Sequence, residues 1–292
     1  MPIPQLIAYL NGQFAPLNEL NISVMDRGFL FGDGVYEMIP VYSRRPFRLD
    51  EHLARLTNSL AAIQLCNPYT QAQWRALVLD LVAKQSFADQ SVYVQVTRGV
   101  AYPRNHAFPA GETVPTVFAL ADPLELPPAR AYELGVAAVT TRDLRWQRCD
   151  IKAISLLANV LAKQQAVEAG AAETIMLRDG LMIEGAASNI FIVQQGVIYA
   201  PQTGEHMLAG ITYELVIELA QSHGLPLVLG EVSEAMLRNA DEVWLTSSSK
   251  EILPIVQLDG RVVGKGVPGP IYQAMISFYQ NYKATVMRRG EE

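Results

Sequence analysis

Cysteine is scarce in this sequence. Of 292 residues only Cys66 and Cys149 are cysteines, and their spacing suggests neither a disulfide framework nor a metal site. Histidine is equally thin, with four scattered residues and no zinc pattern. Long apolar runs are missing, since no stretch approaches the roughly 18 residues that a membrane helix needs. The start, Met1-Pro2-Ile3-Pro4-Gln5, has neither the basic opening nor the apolar segment of a signal peptide. These absences make the cytoplasm the expected location and exclude a membrane partner. Positive charge is short as well: 29 acidic residues face 23 basic ones, for a net charge of -6, and no basic run is longer than a pair such as Arg288-Arg289. A phosphodiester-binding surface is not expected from that balance, so nucleic acid is excluded as a partner. What is plentiful is apolar side chain, at 50% against 18% charged, the proportion of a globular protein with room for one large or two modest cores.

The run Leu6-Ile7-Ala8-Tyr9-Leu10, then Asn11-Gly12, then Gln13-Phe14-Ala15-Pro16-Leu17 predicts an N-terminal β-hairpin. After a loop punctuated by Gly28, Gly32 and Gly34, residues 35–42 suit a strand. Leu53, Leu56, Leu60 and Ile63 recur at helical spacing behind Asp50, which predicts a helix over 50–65, and a second helix is expected over 71–85. Strands are expected at 91–97 and 113–120, giving an α+β first half. Residues 121–130 carry three prolines and are the best linker candidate. Beyond them the pattern predicts strands at 135–141, 173–178, 189–194, 197–200, 226–230 and 242–246, with helices at 152–169 and 211–223. The expected division is therefore 1–120, a linker over 121–130, and 131–292.

Only six lysines occur. Lys84, Lys163, Lys250, Lys265 and Lys283 lie among polar residues or at turns and read as solvated charges. Lys152 differs, because it stands in Cys149-Asp150-Ile151-Lys152-Ala153-Ile154-Ser155-Leu156-Leu157, at the entry of an apolar helix. Loss of hydration there lowers an amine's pKa and frees it to attack a carbonyl, although composition alone leaves a structural role open. Glu184 precedes Gly185-Ala186-Ala187-Ser188, small residues that admit a flat ligand to the backbone. Such a carboxylate suits a protonated heterocyclic nitrogen, and also suits a turn cap. Gly210-Ile211-Thr212 opens a helix whose N-H groups suit phosphate, and Thr246-Ser247-Ser248-Ser249 adds hydroxyls.

Taken in order, six strings carry a resemblance: Asp26-Arg27-Gly28-Phe29-Leu30-Phe31-Gly32-Asp33-Gly34-Val35-Tyr36-Glu37, Glu51-His52-Leu53-Ala54-Arg55-Leu56, Asp150-Ile151-Lys152, Glu184-Gly185-x-x-Ser188-Asn189, Gly210-Ile211-Thr212 and Thr246-Ser247-Ser248. They resemble the fold-type IV aminotransferases that use pyridoxal 5'-phosphate, over nearly the whole chain. The resemblance implies an α+β, two-domain architecture, with a smaller N-terminal α+β domain and a larger C-terminal pseudo-barrel carrying the lysine, assembled as a homodimer. It makes Lys152 the Schiff-base lysine and Glu184 the partner of the pyridine nitrogen. Arg55, Thr212, Ser248 and the N-H groups of Ile211 and Thr212 would hold the phosphate, and Leu208 would pack on the ring.

Pro103-Arg104-Asn105-His106-Ala107-Phe108-Pro109 resembles the corresponding string of D-amino-acid aminotransferases. There, Arg and His reach across the dimer interface to the substrate carboxylate; Tyr36 would complete that site. Arg98, before Gly99, reads as structural instead. Ala186 and Ala187 replace serines common in those enzymes, and Pro40 and Tyr213 replace basic residues. The implied activity is exchange of an amino group between a D-amino acid such as D-alanine and a 2-oxo acid such as 2-oxoglutarate or pyruvate. Branched-chain L-aminotransferase, aminodeoxychorismate lyase, (R)-amine transaminase and a non-catalytic ligand-binding dimer are the alternatives.

Overall fold

The structure, a computed structural model, describes residues 5–111 and 113–290. The start at residues 1–4, on which the signal-peptide reading rests, lies outside the described residues. Packing divides the chain into two units. One holds the chain through Glu125 together with Ile151–Ser155 and Met287–Arg289, and the other holds Leu126–Asp150 and Leu156–Val286.

The first unit comprises β1 (Ile7–Leu10), β2 (Gln13–Pro16), α1 (Arg27–Phe31), β3 (Gly34–Tyr42), β4 (Arg45–Pro46), α2 (Leu49–Ala62), α3 (Gln71–Lys84), β5 (Gln90–Thr97) and β6 (Thr116–Pro123). Its six strands are ordered β2-β1-β6-β5-β3-β4. The hairpin turns at Asn11 and Gly12, both at positive φ (47° and 95°), which is what an Asn-Gly turn supplies without strain. On α2 the stripe Leu49, Leu53, Leu56 and Leu60 is buried, and each such leucine contributes roughly 1.5–3 kcal/mol on leaving water. Val35, Ile39, Val92, Val94 and Val96 of the sheet share its core with Trp74 of α3. α3 starts with a capping box between Thr70 and Gln73.

The second unit comprises α4 (Ala129–Leu134), β7 (Val136–Arg142), α5 (Leu157–Glu168), β8 (Glu173–Arg178), β9 (Leu181–Gly185), β10 (Asn189–Gln194), β11 (Val197–Pro201), α6 (Ile211–Ser222), β12 (Leu227–Gly230), α7 (Glu234–Arg238), β13 (Glu242–Ser247), β14 (Glu251–Leu258), β15 (Arg261–Val262) and α8 (Pro270–Tyr282). The sheet path is β12-β11-β10-β13-β14-β7-β8-β9, with β15 on β14. β9 also lies against β10, so the sheet curls into a half-barrel. β7 pairs parallel with β8, and β11 with β12; the helices α5 and α6 provide the crossovers that parallel pairing requires. Ile190, Ile192, Val243, Leu245, Leu253 and Ile255 fill the core.

Three local expectations are corrected. The strand expected at 113–120 starts at Thr116 and runs to Pro123. The 121–130 segment is only partly irregular, because β6 extends into it and α4 begins at Ala129, after Pro128 at its N-cap. The helix expected from 152 begins at Leu157. Ile151 and Ala153 are both buried in the first unit's core, and this period-two burial draws 151–155 out as an extended segment beside β3. Ala153 bridges to Val35, and Tyr36 and Ile154 donate their N-H groups to the carbonyls of Lys152 and Gly34.

Among the described residues no helix is long and apolar enough to cross a membrane, and no group of His, Cys, Asp and Glu is placed to hold a metal ion.

Candidate active site

Of the ten candidate residues, five belong to the first unit. Tyr36 and Glu37 are neighbours on β3 and therefore point to opposite faces of the sheet. On one face the Nζ of Lys152 lies 4.3 Å from the centroid of the Tyr36 ring, and Tyr93 of β5 stands beside that ring at 5.7 Å. Burial, with Tyr36 adding to it, pushes the Tyr93 phenol up to about 12. The Lys152 main-chain N-H donates to Oγ of Ser59 on α2. Lys152 thus stands on an extended segment against a tyrosine rather than at a helix entrance.

On the other face Glu37 is fully buried and accepts from Arg55 at both oxygens, Nε to Oε1 at 2.7 Å and Nη2 to Oε2 at 2.8 Å. Nδ1 of His52 lies 2.8 Å from the same Oε2. Burial pushes the Glu37 carboxyl upward, but the charge and hydrogen bonds of Arg55 and the His52 contact outweigh it and hold it well below the usual glutamate range. Burial holds His52 below its ordinary value, so the neutral imidazole donates from Nδ1 to this carboxylate, and among the described residues its buried Nε2 has no hydrogen-bond partner. The Glu37-His52 pair carries no role in the sequence reading; its signal is the polar pair His52 and Arg55 flanking the leucine stripe of α2.

Arg104 and His106 are exposed and meet at Phe31, the Arg104 guanidinium carbon 4.4 Å and the His106 ring 5.2 Å from its ring centroid. Arg98 turns inward instead, donating to Asp33 and to the carbonyls of Ile63 and Gln64.

The other five belong to the second unit. Glu184, buried on β9, accepts from Nη1 of Arg145, from the Leu208 main-chain N-H at 3.3 Å and from the Asn189 amide at 3.4 Å. The structure thereby brings Glu184 and Leu208 together. Arg145 also forks onto Asp143, which a second guanidinium, Arg178, shares. Sequence reasoning misses Arg145, and only the arginine-rich stretch 142–148 hints at it.

Ile211 and Thr212 open α6, whose N-cap is Gly210 and whose first turn no side chain caps. A Cβ on Gly210 would fall 2.2 Å from Oδ1 of Asn189, so a larger residue there would push the Asn189 amide aside. Asn189 pairs across the sheet with Thr246, whose buried Oγ1 has no hydrogen-bond partner among the described residues. Ser248 is half-buried in the turn that follows β13. An uncapped helix start beside an unsatisfied hydroxyl is suited to an anion.

Three of the lysines that read as solvated are paired. Lys283 is buried on Glu251 at 2.5 Å, Lys250 reaches buried Glu173 at 3.1 Å, and Lys163 donates to the Ala172 carbonyl at 2.6 Å.

The amino-transferase class IV family model matches residues 34–258. The chain belongs to the class IV aminotransferases. It is 41% identical over 271 residues to D-alanine aminotransferase of Bacillus licheniformis, covering 93% of this chain and 95% of that one. It is 38% identical to D-alanine aminotransferase of Staphylococcus haemolyticus, covering 94% and 96%. Among solved structures it resembles the branched-chain aminotransferase of the archaeon Thermoproteus uzoniensis with norvaline, at a TM-score of 0.85, 28% identity and coverage of 98% and 96%. The aminotransferase family expected from the six strings is thus borne out.

Proposed function

We propose that this class IV aminotransferase exchanges the amino group of a D-amino acid such as D-alanine with a 2-oxo acid such as 2-oxoglutarate or pyruvate, in a ping-pong cycle with pyridoxal 5'-phosphate. The observation that carries the reading is the pairing of Arg104 and His106 over Phe31, two donors suited to a carboxylate. The 41% identity to a D-alanine aminotransferase favours the D-amino-acid substrate over the branched-chain one, whose solved relative is 28% identical.

The donor set fits the cofactor. The Thr246 hydroxyl, without a hydrogen-bond partner among the described residues, and the start of α6 support a phosphate there, to which Ile211 and Thr212 would donate N-H groups and Thr212 and Ser248 hydroxyls, with Arg55 of the first unit proposed as its cation. Glu184 would keep a proton on the ring nitrogen, and Leu208 would lie against the ring. When bound, the cofactor supplies an electron sink and a carrier for the amino group. Lys152 holds the proton taken from the substrate Cα and returns it during exchange. Tyr36, Arg104 and His106 orient the substrate by its carboxylate, and an Arg fork does so through two parallel hydrogen bonds.

The same reading takes 1–120 and 131–292 as two domains joined at 121–130, although Ile151–Ser155, Lys152 included, packs with the first unit, and it adds a cytoplasmic location and a homodimer in which Arg104 and His106 serve the neighbouring subunit. Leu157, Val160, Leu161 and Val167 are exposed along α5, the spacing of one apolar helix face, which supports burial against a second copy.

The test compares kcat/KM of wild type and Arg104→Ala on D-alanine and on (R)-1-phenylethylamine, which has no carboxylate. Loss of a charge-assisted contact of about 1.5–3 kcal/mol is roughly ten- to a hundredfold, and it is expected on D-alanine alone. Equal loss on both substrates would contradict the reading.

A further inference from the structure

The loop that carries Arg104 and His106 has no regular secondary structure, and residues 102–108 are exposed. A loop in that state normally satisfies its carbonyls with water and samples many conformations. Here one buried side chain holds three carbonyls in succession. Arg27 of α1 donates from Nη1 to the carbonyls of Asn105 at 2.6 Å and Ala107 at 3.2 Å, and from Nη2 to that of His106 at 3.2 Å. Its guanidinium carbon lies 4.8 Å from the centroid of Phe31, the same ring that Arg104 and His106 meet.

Arg27 is itself fixed. Its Nε donates to Oδ2 of Asp33 at 2.8 Å, and Arg98 grips the same carboxylate through Nε at 2.8 Å and Nη2 at 3.0 Å. Burial raises the Asp33 carboxyl, but the two guanidinium groups outweigh it and hold it below the usual range. Arg98 also lies over the Phe108 ring at 3.8 Å, which ties the far end of the loop to the same pair. The local sequence explains why α1 presents Arg27 here: the Asp26 side chain caps Gly28 and accepts from Thr97 and Thr116. A Cβ on Gly28 would fall 2.3 Å from Thr97. The start of α1 is therefore locked to β5 and β6, and Arg27 with it.

We propose that Arg27, fixed by Asp33, is a positioning residue that presets Arg104 and His106 for a carboxylate before substrate arrives. The inference rests on the reading that Arg104 and His106 bind the substrate carboxylate. Arg27 does this through the main chain of 105–107, and its planar fork is what spans three carbonyls and a carboxylate at once. A lysine, with a single compact head, cannot replace it.

The experiment measures binding of propanoate, a carboxylate without an amino group, to the holoenzyme of wild type, Arg27→Lys, Arg104→Ala and the double variant by calorimetry. Arg104→Ala and Arg27→Lys are each expected to weaken propanoate roughly tenfold or more. The double variant is expected to be weaker than Arg104→Ala by less than the loss Arg27→Lys causes alone, because Arg27 acts through Arg104 and His106 and only His106 is then left to misplace. D-alanine KM should rise in Arg27→Lys while kcat is retained, the pattern of lost uniform binding. Asp33→Asn, which keeps the side chain's shape, should repeat the pattern and serves if Arg27→Lys does not fold. Crystal structures of wild-type holoenzyme with and without propanoate need no variant: the loop at 103–108 should be ordered alike in both. If Arg104→Ala binds propanoate like wild type, the carboxylate reading fails. If Arg104→Ala weakens it but Arg27→Lys does not, or if the two losses add in full, or if the loop orders only with propanoate, the presetting role of Arg27 is overturned.

Discussion

Arg145 donates to the carboxylate of Glu184, and both side chains are buried, at 7% exposure each. The pair joins a candidate cofactor residue to a cation that lies 39 positions away in sequence, and removing one member leaves the other as an uncompensated charge.

Arg145→Met is therefore expected to cost about 3–5 kcal/mol of stability at neutral pH. A buried carboxylate stripped of its cation takes up a proton more readily than one in the unfolded chain, and the protonated acid carries no charge to compensate. The gap to wild type should therefore shrink as pH falls. Denaturant titrations of wild type and variant between pH 5 and 8 check this. A stability gap that does not change with pH would show that the cost lies in lost packing and hydrogen bonds rather than in an uncompensated carboxylate.

Glu184→Gln is expected to lower kcat on D-alanine by roughly a hundredfold or more, as loss of one preorganised polar group at a reacting centre does. Cofactor affinity should fall far less, because the phosphate contacts remain. Turnover and cofactor release by dialysis are the two measurements. Retained rate with ready release would make Glu184 a binding residue only.

Lys152→Ala should leave the fold intact and remove turnover by a factor on the order of 10²–10⁴ or more, since the amine serves both as anchor and as proton carrier. Borohydride reduction of wild-type holoenzyme followed by peptide mass spectrometry should place the cofactor on the peptide containing Lys152. Its recovery on another lysine would contradict the assignment.

Glu37 and His52 are expected to contribute to the acid unfolding of the first unit. Both have folded-state pKa values below their ordinary 4.5 and 6.5, so the unfolded chain binds more protons in acid and stability rises with pH. The His52 contribution is lost as pH falls from 6.5, and that of Glu37 from 4.5 downward. Glu37→Gln is expected to flatten the lower part of this slope, and to cost about 3–5 kcal/mol at pH 7 by leaving Arg55 without its carboxylate. An unchanged slope between about pH 2.5 and 4.5 would show that other carboxylates govern acid unfolding.

Legibility in the sequence follows the range of the interaction. The hairpin at Asn11-Gly12 and the helices α2 and α3 are readable because turn chemistry and leucine spacing are local signals. Arg98 is readable as structural from its place at a strand end before glycine. The segment around Lys152 reads wrongly as helix because Ile154, Leu156 and Leu157 fit a helical pattern, whereas Ile151 and Ala153 alternate into a core assembled from strands far earlier in the chain. Lys250 and Lys283 read wrongly as solvated because Glu173 and Glu251 reach them only through folding. Arg145 on Glu184, Arg27 on the 105–107 carbonyls and Glu37 on His52 share that cause.

The central claim, transamination of D-amino acids, is tested most directly by mixing the purified holoenzyme with one amino donor at a time, without any oxo acid, and following the cofactor absorbance. D-alanine, L-leucine, (R)-1-phenylethylamine and aminodeoxychorismate form the panel. The account predicts that D-alanine converts the cofactor to its amine form, with pyruvate appearing in equal amount, and that the other three do so far more slowly. Conversion by L-leucine, by the carboxylate-free amine or by aminodeoxychorismate, with D-alanine inert, would contradict it.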